Sequence, residues 1–184
     1  NIHRGLHHLS ARSTIAWQEA RRAVADFLGA QPSELIVTRN ATEALNGVAL
    51  GWARHQLRPG DVVLTSLMEH HANLVPWQEV CRATGAELKL IPLTPEGVLD
   101  QAWYQGQLSS RVKLVALQHL SNVFGLIHPV ERMIAEAHRA GARFLLDAAQ
   151  AVAQLPVHFG RLGADFLAFS GHKLYGPMGS GGLL

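Results

Sequence analysis

Residues 130–147 read VERMIAEAHRAGARFLLD, and the change of pattern within them decides the fold. Val130–Ala140 predicts a helix, and the following Gly141 is typical of a helix end. The short run Arg143–Leu146 then predicts a buried strand that ends at Asp147. A helix that leads directly into a buried strand is typical of an α/β fold with parallel strands.

The same alternation of helix and strand runs along the rest of the chain. Further helices are predicted at Thr14–Leu28, Thr42–Arg54 and Pro76–Thr84. Further strands are predicted at Glu34–Val37, Val62–Ser66, Glu87–Ile91, Val112–Leu117 and Phe166–Phe169, and the glycine-rich end Gly179–Leu184 indicates the beginning of another. We therefore expect an α/β protein with a mostly parallel sheet sandwiched by helices.

The first predicted helix has a cap and a stop in its sequence. Ser13 is expected to be the N-cap and Gly29 to end the helix. One apolar face is expected to be formed by Ala16, Ala20, Ala23, Val24 and Phe27.

Composition limits the classes of protein that the chain represents. Its 184 residues are enough for one domain with a sizeable core, and 48% of them are hydrophobic. The net charge is only +2 and the basic residues are scattered, which argues against a nucleic-acid-binding protein. No apolar run reaches the roughly 18 residues of a membrane span, and no signal-peptide pattern opens the chain, so we expect a cytoplasmic protein with no membrane partner.

Polar and titratable residues follow five of the predicted strands. In open α/β sheets, ligands bind beyond the carboxyl ends of the strands, so we expect a site there. The five segments are 38–42, 69–73, 118–122, 147–150 and 170–173.

These segments carry motifs that resemble a known family. Asp147-Ala-Ala-Gln150 follows a strand, and Ser-Gly-His-Lys-Leu-Tyr-Gly-Pro comes about two dozen residues later, at 170–177. Additional matches are Asn-Ile-His-Arg-Gly at 1–5, Met-Glu-His-His-Ala-Asn-Leu-Val-Pro-Trp at 68–77 and Ser-Asn-Val at 121–123. Together they resemble class V of the fold-type I pyridoxal-phosphate enzymes, most closely the SufS/CsdA-like cysteine desulfurases.

The resemblance implies a binding site for pyridoxal 5′-phosphate. Lys173 would form a Schiff base with the cofactor, which requires an amine that has lost its proton. Asp147 would pair with the protonated pyridine nitrogen, and Gln150 would bond the phenolic oxygen. His70, the first of the two adjacent histidines, would stack on the ring and take part in catalysis.

Other residues would hold the phosphate and the substrate. Thr42, Ser170 and His172 would bind the phosphate, with Ala41 beside them, since Thr42 opens a predicted helix whose N–H groups favour an anion. Asn122 would lie near the phenolic oxygen and the substrate carboxylate. His3 and Arg4 would lie near the substrate entrance. No metal is expected.

As a whole, the resemblance implies a large cofactor-binding domain over residues 1–184, incomplete at both ends, with the C-terminal small domain absent. The implied reaction converts L-cysteine to L-alanine and leaves the sulfur on an enzyme cysteine, as in iron–sulfur cluster assembly. Selenocysteine lyase activity would need the same cofactor machinery. A homodimer with active sites at the subunit interface is implied, together with a sulfur-acceptor protein.

Several alternatives stay open at this point. The chain is alternatively part of another class V enzyme, an aminotransferase or a kynureninase-like hydrolase, or a catalytically inactive domain. Asp147 alone could cap the helix after it, and Ser121-Asn122 could be an ordinary turn. His70 and His71 could be a metal pair, but the preferred His-x-x-x-His spacing is absent.

Cys81 is the one cysteine, so the chain has no internal disulfide and no cysteine metal cluster. It lies in a predicted helix among apolar residues, which favours a buried core residue over a nucleophile. The family places its catalytic cysteine and its carboxylate-binding arginine in a later part of the chain.

Overall fold

A computed structural model describes residue 2 and residues 5–184, which form one seven-stranded sheet with helices on both faces. His3 and Arg4, which the resemblance places at the substrate entrance, lie outside the described residues. Among the described residues, no helix combines the length and the apolar composition that crossing a membrane requires.

The sheet is mostly parallel, as predicted. Its order is β1-β7-β6-β5-β4-β2-β3, and the pairs within β2–β6 are all parallel, whereas β7 runs antiparallel to both of its neighbours. The strands are β1 Ile36–Thr38, β2 Val62–Ser66, β3 Glu87–Ile91, β4 Val112–Gln118, β5 Arg143–Asp147, β6 Phe166–Ser170 and β7 Gly181–Leu183.

Helices connect most of these strands across the two faces. They are α1 His8–Phe27, α2 Ala41–Val48, α3 Arg54–Gln56, α4 Val75–Thr84, α5 Gln101–Gln107, α6 Val130–Arg139 and α7 Phe159–Leu162. A π-helical stretch, Ala49–Ala53, joins α2 to α3, and short 3-10 turns lie at His71–Asn73, Ala151–Ala153 and Gly171–Leu174.

Each face of the sheet has its own hydrophobic core. On β4, Val115 and Leu117 pack into one core. The alternate residues Leu114 and Ala116 pack into the other, together with the fully buried Trp77 of α4. Successive side chains of a strand point to opposite faces, so near-continuous apolar strands such as β4 and β5 are the ones buried on both sides.

The first helix differs most from the prediction. It begins at His8, and the ring of His7 caps it by accepting a hydrogen bond from the Ser10 N–H over 3.3 Å, so the expected Ser13 cap is wrong. The predicted apolar face is wrong as well, because only Val24 of that set is even partly buried. The helix is fastened near its C-terminal end, where the Arg21 guanidinium donates to two backbone carbonyls and Ala25 is buried. The exposed members of the predicted face are Ala16, Ala20, Ala23 and Phe27.

The remaining differences are small. The strand expected at Glu34–Val37 lies at Ile36–Thr38, and the other predicted strands end within one residue of the observed ones. Two short helices, α5 and α7, are not predicted. The Asp100 side chain caps α5 by accepting a hydrogen bond from the Trp103 N–H over 2.9 Å, which is a signal that the sequence carries.

Gly181 in β7 lets two backbone segments approach each other closely. A Cβ atom at this position would lie 2.6 Å from the Asn40 Cα and 2.7 Å from the Phe169 carbonyl oxygen, both of them backbone atoms. Asn40 precedes α2, so this glycine allows the start of α2 to lie against the end of β6.

We expect Gly181→Ala to lower the free energy of unfolding by about 1–3 kcal/mol, because the backbone must shift to admit the methyl group. Gly106→Ala is the control, since its added Cβ meets nothing within 4 Å and lies inside α5. That change should stabilise the protein by about 0.4–1 kcal/mol. Urea denaturation of both variants measures the difference, and equal stability of the two would contradict the close approach.

Candidate functional site

The carboxyl ends of three parallel strands meet at one edge of the sheet. Gln118 at the end of β4 pairs with Asp147 at the end of β5, and Asp147 pairs with Ala168 of β6. Beyond these ends lies a cavity of about 220 Å³, which we call the strand-end cleft. The residues that line it come from β4, β5 and β6, the start of α2 and the four loops that follow β2, β4, β5 and β6.

The strand-end cleft brings together residues from all five predicted segments. The nine predicted site residues that the structure describes all line it: Ala41, Thr42, His70, Asn122, Asp147, Gln150, Ser170, His172 and Lys173. Six further residues, for which no role is predicted, also line it: Asn40, Leu45, Ala72, Gln118, Leu120 and Ala149.

Asp147 is the buried acid of the cleft, with only 7% of its surface exposed. Burial raises the pKa of its carboxyl group, while a hydrogen bond from the Ala149 N–H and electrostatic interactions with Lys173 and His70 oppose the rise. The Ala149 bond is 2.9 Å long and goes to Oδ1. It is a local turn bond rather than a helix cap, because the 3-10 turn after it begins only at Ala151. Gln150 likewise lies in this turn, not one helical turn beyond Asp147.

Lys173 lies on a tight 3-10 turn directly after β6. The turn is closed by a hydrogen bond of 2.7 Å from the Gly171 N–H to the Ser180 carbonyl and one of 2.9 Å from the Gly176 N–H to the Gly171 carbonyl. Tyr175, which follows the turn, has φ of 59°, a conformation that few non-glycine residues adopt. The lysine is therefore held by a fixed backbone, a short distance from Asp147.

The start of α2 faces the same cleft. Asn40 caps the helix by accepting a hydrogen bond of 2.9 Å from the Glu43 N–H, so the helix begins at Ala41 and Thr42 is its second residue. The Ala41 N–H donates to the Ser170 hydroxyl over 2.8 Å, which joins the helix to the end of β6. Helix N-termini attract anions, and here one lies beside two hydroxyl side chains.

His70 and His71 diverge, as adjacent side chains are expected to do. Their ring centroids are 6.4 Å apart and their planes differ by 71°. His70 lines the strand-end cleft, and its Nδ1 accepts a hydrogen bond of 3.1 Å from the Ala72 N–H. In the described part of the chain, no group of three or more His, Cys, Asp or Glu side chains is placed to hold a metal ion.

Asn122 lies on an exposed loop between β4 and α6. The Ser121 hydroxyl accepts hydrogen bonds from the N–H groups of Val123 and Phe124. Ser121-Asn122 is therefore a turn, which was the alternative interpretation of these two residues. The turn nevertheless directs Asn122 to the cleft.

Glu69 is a site residue that the sequence reasoning missed. Its carboxyl group is buried, although part of the residue is exposed, and it does not line the strand-end cleft. Burial raises the pKa of this carboxyl group to about 8, against hydrogen bonds from Asn73 and Ser66 that lower it, and the negative charge of Asp147 raises it further. The sequence offered one signal for a role of Glu69, which is its position directly before His70.

Cys81 is buried in α4, as predicted. Burial raises the pKa of its thiol to about 11, so the thiolate that a nucleophile needs is scarce at neutral pH. It packs in the core on the α4 side of the sheet and does not line the strand-end cleft.

The fold and site together define an open α/β protein whose ligand site lies at the carboxyl ends of its strands. The class-V aminotransferase family model matches residues 1–184, and the chain belongs to this family. Enzymes of the family, the cysteine desulfurases among them, depend on pyridoxal 5′-phosphate.

Three known proteins illustrate the relationship. A probable cysteine desulfurase of Mycolicibacterium paratuberculosis is 48% identical over 184 residues, which are 100% of this chain and 27% of that protein. The apo structure of a cysteine desulfurase from Thermococcus onnurineus NA1 matches with a TM-score of 0.95 and 44% identity, covering 100% of this chain and 46% of the other. The structure of the cysteine desulfurase CsdA from Escherichia coli matches with a TM-score of 0.90 and 40% identity. The match covers 100% of this chain and 46% of that one. The chain therefore spans less than half the length of these relatives.

Glu69 should make the stability of the protein depend on pH. The pKa of its carboxyl group is about 8 in the folded protein and ordinarily 4.5, so the folded state binds more protons between these values. The contribution of Glu69 to the free energy of unfolding is therefore greatest below pH 4.5. It falls as the pH rises to about 8, by at most about 1.4 kcal/mol per pH unit.

Glu69→Gln should remove this dependence, so the variant should gain stability relative to the wild type as the pH rises from 5 to 8. Urea denaturation of the full-length protein across this range measures the effect. Glu79→Gln makes the same substitution on an exposed side chain of α4 and serves as the control. If the pH dependence of Glu69→Gln matched that of the control, Glu69 would not carry the shifted pKa.

Proposed function

We propose that this chain is the cofactor-binding part of a cysteine desulfurase that uses pyridoxal 5′-phosphate, and that residues 1–184 form most of its large domain. The observation that carries the proposal is the meeting of Asp147, Lys173 and the start of α2 at one cleft. The relatives named above are cysteine desulfurases, which supports L-cysteine as the substrate.

The chemistry of the donor set fits this cofactor. Pyridoxal phosphate carries an aldehyde, a ring nitrogen that is protonated in use and a phosphate, and these groups need an amine, an anion and a set of N–H or hydroxyl donors. Lys173 supplies the amine and Asp147 the buried anion. The start of α2 and the Ser170 hydroxyl, joined by the Ala41 hydrogen bond, offer donors for the phosphate.

When bound, the cofactor supplies an electron-withdrawing ring that stabilises negative charge at the substrate's α carbon. Asp147 would keep the ring nitrogen protonated, because a buried carboxylate gains most by facing a positive charge. Lys173 would hold the cofactor covalently through Nζ, and the same nitrogen would serve as the base that moves protons at the substrate's α carbon. The hydrogen-bonded turn around Lys173 holds the backbone that presents this nitrogen to the cleft.

The remaining residues orient the cofactor and the substrate. His70 would cover one side of the ring, and Gln150 and Asn122 would bond its phenolic oxygen, with Asn122 also available to the substrate carboxylate. Thr42, Ser170 and His172 would hold the phosphate beside Ala41. For His3 and Arg4, a role at the substrate entrance stays a prediction from the resemblance.

The thiol that receives the sulfur is not Cys81. Its burial and raised pKa leave it neither reachable from the cleft nor ionised. The full-length protein therefore supplies this cysteine, and the arginine that binds the substrate carboxylate, from residues outside this chain. It acts as a homodimer that passes sulfur to an acceptor protein, for uses that include iron–sulfur cluster assembly.

Borohydride reduction of the cofactor-loaded, full-length protein tests the lysine assignment. After digestion, mass spectrometry should find the cofactor mass on the peptide that contains Lys173, and Lys173→Ala should abolish it. Lys113→Ala is the control, because this lysine bonds the Ser110 carbonyl and lies away from the cleft. Cofactor bound covalently at another lysine in Lys173→Ala would contradict the assignment.

Asp147→Asn tests the partner of the ring nitrogen, since it keeps the shape of the side chain and removes its charge. We expect the Kd for pyridoxal phosphate to rise about tenfold or more, through loss of a buried charge-assisted hydrogen bond. Alanine formation from L-cysteine should fall with it. Absorbance titration measures the Kd, and Asp26→Asn, on the exposed surface of α1, is the control. Unchanged affinity in Asp147→Asn would contradict the proposed role.

A further inference from the structure

The segment that carries His70 is held by the side chain of the residue before it. Ser66 ends β2 and Asn73 ends the 3-10 turn that follows His70, so these two residues lie on either side of it. The Ser66 hydroxyl bonds Glu69 Oε1 over 2.7 Å, and the Asn73 amide donates to Glu69 Oε2 over 2.6 Å. One carboxyl group therefore connects both ends of the loop.

Both ends of this bridge are fixed to the core. The buried Trp77 indole donates to the Asn73 side-chain oxygen over 3.0 Å. The Ser66 hydroxyl also accepts the Met68 N–H over 3.1 Å, and the Gln118 amide donates to the Met68 carbonyl over 2.7 Å. By contrast, His70 itself is exposed, and the hydrogen bond to its ring comes from Ala72 of the same turn.

We propose that Glu69 is a positioning residue, whose carboxyl group bridges Ser66 and Asn73 and thereby sets the place of the His70 ring in the cleft. The proposal rests on the proposed function, because the ring matters through the pyridoxal phosphate that it faces. Glu69 acts through His70 and does not touch the cofactor.

The bridge works with an uncharged carboxylic acid. Burial is the largest influence on the Glu69 carboxyl group and raises its pKa to about 8, against hydrogen bonds from Asn73, Ser66 and the Gln118 backbone, so the group carries its proton at neutral pH. In the ionised form the Ser66 hydroxyl donates to Oε1. Protonation of Oε1 reverses this bond, so that Glu69 donates to the Ser66 oxygen while Oε2 still accepts from the Asn73 amide.

This protonation state predicts different results for two substitutions. Glutamine resembles the protonated acid, since its amide N–H can donate to Ser66 while its oxygen accepts from Asn73. Alanine removes both ends of the bridge. In the full-length protein, Glu69→Ala should raise the Kd for pyridoxal phosphate about tenfold, and Glu69→Gln should stay within about threefold of the wild type.

A double-mutant cycle separates positioning from a general loss of structure. If Glu69 acts through His70, Glu69→Ala should lose most of its effect on the Kd when combined with His70→Ala. The absorption band of the bound cofactor should shift in Glu69→Ala and stay in place in Glu69→Gln. Glu79→Gln, the exposed control, should leave both the Kd and the band unchanged.

The outcomes distinguish this inference from the proposed function. A wild-type protein that binds no pyridoxal phosphate refutes the proposed function, and the role of Glu69 falls with it. If the wild type binds and Glu69→Ala binds equally well, only the role of Glu69 is refuted. Independent effects of the Glu69 and His70 substitutions on the Kd also refute this role. A Glu69→Gln variant that binds pyridoxal phosphate as weakly as Glu69→Ala refutes it as well. If Glu69→Ala does not fold, Glu69→Asp, which is too short to span both partners, takes its place in the cycle.

Discussion

The parallel register of β4, β5 and β6 is the constraint on which the site depends. Because the three strands run in one direction and pair side by side, their last residues lie at one edge of the sheet. Residues far apart in the sequence, Gln118, Asp147 and Ser170, are thereby brought together at the cleft. The register in turn depends on the two apolar cores, since a shift of one residue would turn every buried side chain to the wrong face.

The same arrangement buries Asp147, and the electrostatic cost of this burial favours the binding of a cationic group. The end of β5 lies between two cores, so Asp147 is buried, and burial disfavours its charged form. A single backbone hydrogen bond and electrostatic interactions with Lys173 and His70 offset only part of this cost. An acid in this condition gains from any cation placed opposite it, which makes it a suitable partner for a protonated ring nitrogen. The fold therefore already contains the buried acid with which a cationic ligand can pair.

Sequence patterns were informative where one physical effect dominated. The strands β2 and β3 have the predicted bounds. For β2 the reason is that an apolar run directly after a turn has few other interpretations. The predictions that were wrong concern features that tertiary packing decides. The alanines of α1 form a stripe at helical spacing, but the helix is held mainly near its C-terminal end, where Arg21 bonds two carbonyls of the loop before β1 and Ala25 is buried, so the stripe stays exposed. The short helix α5 has too few turns for its periodicity to be seen.

The site was predictable to the extent that its residues follow strand ends, and Glu69 shows where that rule stops. It also follows a strand, but its importance comes from partners that the strand rule does not supply: the Asn73 amide, the Ser66 hydroxyl and the charge of Asp147 from another strand. The burial that raises the pKa of Glu69 to about 8 is a property of the folded protein, so no local pattern could reveal that this acid holds a proton. The two acids have different places and different tasks. Asp147 lines the cleft, where its carboxyl group can act on a ligand, whereas Glu69 does not line it and uses its hydrogen bonds to hold the loop that carries His70.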